Sequence, residues 1–142
     1  MNSKNNFTNS VSRDVIIHVL YRFYLLNVSV EETLQYVSDT YPNLEDDWFF
    51  KLKQALYSKL MLESIIDKYL NNWTFARLAS MEQAIMLFGA YELSFTNTDP
   101  KIVINEAINL SKVYGHDTAY RMVNAVLDKI NKDKIDHLKK EV

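Results

Sequence analysis

The chain has 142 residues, 48% apolar and 13% aromatic, with 16 basic against 18 acidic side chains and no cysteine. That length and apolar content supply a sizeable core for one domain, or two small packed subdomains, without a covalent staple. The missing cysteines exclude disulfides, thiolate metal sites and cysteine nucleophiles, and a net charge of -2 excludes binding of nucleic acid by overall charge alone.

Only two glycines and two prolines occur, so the chain has little turn chemistry and the expected fold class is all-α. Residues 1–10, MNSKNNFTNS, are polar and read as a flexible N-terminal tail without the apolar run of a signal peptide. From Val11 the pattern is helical, with Val11, Val15, Val19, Phe23 and Leu26 along one face. Ser29 with Glu32 reads as a capping box opening a second helix that runs to about Thr40, before Tyr41-Pro42-Asn43 turns the chain. The acidic run Glu45-Asp46-Asp47 suits the start of a third helix, since carboxylates favour a helix N-terminus. The apolar stripe from Trp48 through Leu52, Leu56, Leu62 and Ile66 to Leu70 predicts one long helix ending at Asn71-Asn72, about 35 Å long at the usual rise per residue.

A short turn is expected over Thr74–Leu78, and Ser80 with Gln83 reads as a second capping box. The following segment to Phe95 is apolar almost all round, the pattern of a central buried helix. Met81–Leu93 is too short to span a bilayer and carries Glu82, Gln83 and Glu92, so no membrane partner is expected. Asp99-Pro100 opens the next helix, Gly115 closes it, and Asp117 or Thr118 starts the last one. The reading gives two packed helical subdomains of six or seven helices in all. An N-terminal three-helix subdomain takes residues 11–72, a C-terminal helical subdomain takes 73–131, and a charged, frayed tail takes 132–142.

Catalytic and metal chemistry finds no support. Gly89 and Gly115 lie too far apart for a phosphate-binding glycine loop, and His18, His116 and His137 have no ligand spacing. Gly89, inside the most apolar helix, reads as a close helix contact, because an interior glycine costs about 1 kcal/mol there. Glu82, Glu92 and Glu106 read as helix rims or hydrogen-bonded structural groups rather than an acid–base pair. The expectation is a non-enzyme without cofactors. The basic residues are sparse. Arg13 and Arg22 are nine positions apart and fall on opposite sides of the first helix. Tyr21 beside Arg22 has the makings of a base-stacking and phosphate-neutralising pair, while a solvated face with a partly buried Tyr21 suits the same pattern. Lys112 and Arg121 flank the Gly115 loop as a second basic edge.

Residues 102–130 read IVINEAINLSKVYGHDTAYRMVNAVLDKI. They resemble the NusB family pattern V-A-I-N-E-A-(V/I)-E-L-A-K-x-(F/Y)-G followed by F-V-N-G-V-L-D-K. Glu82-Gln83-Ala84-Ile85 and Ala90-Tyr91-Glu92-Leu93 are similar to the family's E-x-A-(I/V)-L-R-x-A-x-Y-E-L, and Val19-Leu20-Tyr21 to its first-helix A-L-Y. Arg13 stands where the preceding A-R motif has its arginine. The resemblance covers about residues 12–130. It implies a cytoplasmic transcription antitermination factor of the elongation complex, which pairs with the ribosomal protein NusE and binds the single-stranded boxA element of nascent rRNA. The RNA contacts it implies, taken with the basic residues above, are Lys4, Arg13, Tyr21, Arg22, Lys112 and Arg121. The chain departs from the pattern at Leu87, Met122 and Ala125, where the family has Arg, Phe and Gly. The family's N-terminal arginine cluster is reduced to Lys4 and Arg13. The alternative expectation is a helical protein-interaction module with little or no RNA affinity.

Overall fold

The computed structural model describes residues 8–140, with side chains described to residue 134. Among the described residues there are seven α-helices and no strand: α1 (Asn9–Leu26), α2 (Val30–Thr40), α3 (Asp46–Tyr57), α4 (Lys59–Asp67), α5 (Ser80–Phe95), α6 (Pro100–Tyr114) and α7 (Ala119–Lys140). A single 3-10 turn, Phe75–Arg77, lies between α4 and α5.

Two of the expected N-terminal caps form. The Ser29 hydroxyl accepts from the Glu32 backbone N–H at 3.0 Å, although the Glu32 carboxylate meets the Ser29 hydroxyl rather than its backbone. Asp99 accepts from Lys101 N–H at 2.9 Å with Pro100 at the first helical position. The second capping box does not form. Ala79 is the residue before α5 and makes no side-chain cap, because Gln83 instead donates to the Phe75 carbonyl at 2.9 Å. Residues 9 and 10, expected in the tail, are the first residues of α1. Thr8 caps that helix by accepting from Val11 N–H.

The long third helix divides at Ser58, whose backbone (φ -101, ψ 10) leaves the helical range. The two pieces are about 18 Å and about 14 Å long. The first packs on α1, α2 and α5 in similar measure, and the second packs chiefly on α5, with a smaller contact to α7. Nor does α7 end near residue 131. It continues to Lys140, helped by Lys134 donating to the Leu93 carbonyl at the end of α5 and by Tyr69 donating to Asp133.

At the centre lies α5, with every residue from Glu82 to Leu93 buried. Helix α1 packs chiefly against it, and α4, α6 and α7 pack around it, so one continuous core crosses the connection near residue 72. Gly89 explains how α7 comes so close: a Cβ there would lie 2.8 Å from Leu127 Cδ1. Gly115 closes α6 in an extended conformation rather than the left-handed one usual for such a glycine. Its need is space, since a Cβ would fall 2.7 Å from the Ser111 carbonyl.

Candidate nucleic-acid interface

The six sequence-predicted site residues part company in the fold. Arg13 is buried. Its Nε and Nη2 donate to the two carboxylate oxygens of Glu92 at 2.9 and 2.8 Å, with side chains 7% and 1% exposed. Glu106 lies 3.9 Å from the same guanidinium, and the Trp48 ring lies 5.2 Å from Cζ. This corrects the expectation for Arg13: a guanidinium held bidentately at a buried carboxylate ties α1 to α5 and is not presented to a phosphate. Arg22 is half-buried and stacked 3.9 Å from the Tyr36 ring of α2. Tyr21, its neighbour, turns elsewhere, into a cleft shared with His18, Leu25, Tyr114 and His116. With Arg22 taken up by Tyr36 and Tyr21 lining that cleft, the two side chains do not form one pair. Lys4 lies outside the described residues.

Lys112 and Arg121 do come together. Both are exposed, one on the last turn of α6 and the other on the first turn of α7, and both converge on Tyr120. Lys112 Nζ is 5.0 Å from the ring centroid and Arg121 Cζ 5.7 Å. Arg121 Nε also donates to the Tyr120 hydroxyl at 3.3 Å. That hydrogen bond, the Arg121 charge and the Lys112 charge hold the Tyr120 phenol below its ordinary value, against a small opposing effect of burial. The result is a half-buried tyrosine ring flanked by two exposed cations, the chemistry that stacks a base and neutralises its phosphates. Sequence reasoning missed Tyr120. The available signal was its adjacency to Arg121, the same kind of signal that singled out Tyr21 beside Arg22.

The α6–α7 loop carrying this cluster is fixed from below. Glu82 is buried on the first turn of α5, and its Oε2 accepts from the His116 backbone N–H at 3.4 Å and lies 3.2 Å from His116 Nδ1. His18 stacks edge-on against Tyr114 with ring centroids 4.8 Å apart, and its Nδ1 lies 2.8 Å from the Asp14 carbonyl. Glu82 and Glu92 are therefore hydrogen-bonded structural groups, and Glu106 is the carboxylate beside Arg13 and Ser10. No group of three potential metal ligands occurs among the described residues, and no described helix is long and apolar enough to cross a membrane.

Residues 10–132 match the sequence profile of the NusB family. A transcription antitermination protein NusB from Helicobacter hepaticus is 36% identical over 138 residues, covering 94% of this chain and 88% of that protein. The T. maritima NusB structure superposes with a TM-score of 0.76 at 22% identity, covering 89% of this chain and 92% of the other. A NusB solved with the antitermination factor NusE and double-stranded RNA gives a TM-score of 0.73 at 28% identity, covering 87% and 96%. With its seven helices laid out as in those structures and its sequence matched from α1 into α7, the chain belongs to the NusB family.

Proposed function

We propose that this chain is the RNA-binding subunit of a cytoplasmic transcription antitermination pair. In this reading its partner is a NusE-type ribosomal protein, its ligand a boxA-type element in nascent rRNA, and its setting the elongation complex. The observation that carries the reading is the convergence of the exposed Lys112 and Arg121 on the half-buried ring of Tyr120, beside the loop whose other side borders the Tyr21 cleft. Charge alone does not supply the affinity, since the chain is net acidic. A partner that adds basic surface and fixes the RNA path supplies the remainder. The reading assigns no catalytic step.

The interaction-module alternative draws on a specific observation too. Of the predicted cations, Arg13 is taken up by Glu92 and Arg22 by Tyr36, which leaves fewer phosphate contacts than the sequence promised. Fluorescence anisotropy with boxA-type RNA, a scrambled strand and a duplex, each with and without the ribosomal protein, separates the two. The proposed function predicts partner-dependent binding selective for the boxA-type strand. A stable protein pair with no RNA selectivity establishes the alternative.

A further inference from the structure

A second cleft, of about 700 Å³, continues from the Tyr21 cleft on the far side of His116; Ala79, Glu82 and His116 line both. Its floor is apolar, formed by Leu78, Ala119, Met122 and Val126, and Trp73, Arg77 and Lys129 stand around it. Trp73 is 55% exposed, an unusual position for the largest aromatic side chain unless it meets something. Yet it sits on a fixed base. Asn72 adopts a left-handed backbone (φ 64), a conformation asparagine tolerates better than most residues. Two residues beyond Trp73, Phe75 is buried, its N–H donates to Asp67 at 2.7 Å, and its carbonyl accepts from Gln83. A loop anchored at Phe75 thus holds a large ring out in solvent. Arg77 and Lys129 are exposed and pair with no carboxylate among the described residues.

From this geometry we infer that the cleft bounded by Trp73, Arg77 and Lys129 is a second RNA subsite, which takes a nucleotide flanking the element held at the Tyr120 loop. Trp73 stacks its base, and Arg77 and Lys129 neutralise the adjoining phosphates. The inference rests on the RNA-binding reading above and extends it along one continuous groove. Two unpaired cations beside an aromatic platform complement a polyanion with flat bases, and the volume is in the range that encloses a small-molecule-sized group.

The test uses the full chain with its ribosomal-protein partner and a single-stranded boxA-type RNA bearing flanking nucleotides. Intrinsic fluorescence isolates the platform, because the chain's other tryptophan, Trp48, is only 4% exposed; Trp73→Phe subtracts the partner's emission. The expected result is quenching of Trp73 by the RNA, about tenfold weaker binding for Trp73→Leu and near wild-type affinity for Trp73→Phe. The Arg77→Ala/Lys129→Ala double variant is expected to flatten the log–log salt slope by about 1.4. All three positions are exposed, and circular dichroism melting verifies the folds. RNA binding that Arg121→Ala weakens but that leaves Trp73 emission and the double variant's slope unchanged overturns the subsite and spares the proposed function. No RNA binding by the wild-type pair removes both. Quenching by polyglutamate as strong as by RNA assigns the cleft to an acidic protein segment and overturns the inference.

Discussion

The first turns of α1 and the first turn of α7 each carry an arginine that sequence reasoning nominated for RNA, and the fold surrounds them in opposite ways. Arg13 is enclosed, bonded twice to Glu92 and backed by Trp48. Arg121 is open, resting with Lys112 against Tyr120. What separates them is not their own helix. Arg13 meets a carboxylate 79 residues away on the central helix, whereas no carboxylate faces Arg121 among the described residues. An arginine's surroundings are set by what the fold packs against it: Arg13 is tied to a buried carboxylate, and Arg121 stays exposed beside Tyr120.

The largest test of that contrast is Arg13→Ala. It strands Glu92 as an unpaired buried carboxylate and is expected to lower stability in urea unfolding by about 3–5 kcal/mol, with the RNA affinity of the folded fraction unchanged. Arg13→Met with Glu92→Leu should recover most of the loss, since a well-packed apolar pair often matches a buried ion pair. An Arg13→Ala protein of normal stability and lost RNA binding would reverse the comparison.

The same contrast extends to two tyrosines under alkali. Burial, followed by the charge and hydrogen bond of Glu63, raises the Tyr24 phenol well above its ordinary 10.0. Above about pH 10 the unfolded chain releases this proton while the folded chain keeps it. Tyr24's stabilisation, fully present below that pH, is then lost at up to about 1.4 kcal/mol per pH unit. Urea midpoints across that range should fall less steeply for Tyr24→Phe than for the wild type.

On the open side, Arg121→Ala and Lys112→Ala should each change stability by no more than about 0.5 kcal/mol. Each should flatten the salt dependence of RNA binding by about 0.7 in the log–log slope. The smallest expected signal belongs to Tyr120. Its phenol is held low by Arg121 and Lys112, so a phosphate that neutralises these cations should raise it back toward the ordinary value. An ultraviolet titration with and without RNA reads that difference, and Tyr120→Phe should abolish it.

Local signals in the sequence survived into the structure where no more distant partner competed with them. Ser29 and Asp99 were legible because each caps a donor within three residues. The buried course of α5 was legible because its apolar residues run all round the helix. The second capping box failed because Gln83 finds a better acceptor in Phe75, eight residues back on a separate turn. The break at Ser58 left no trace because no glycine or proline marks it. Gly89 was read correctly as a close contact, though not as a contact with Leu127. Of the candidate site, Lys112 and Arg121 were legible as one basic edge flanking the Gly115 loop. Their common focus, Tyr120, needed the loop closed in space.

Residue-resolved amide NMR of the partner-bound chain, titrated with boxA-type RNA, tests the central claim most directly. The account predicts chemical-shift changes concentrated from Lys112 to Arg121 and around His18 and Tyr21, with the amides about Arg13 and Glu92 little moved. Changes centred on Arg13, with the Tyr120 loop silent, would contradict it.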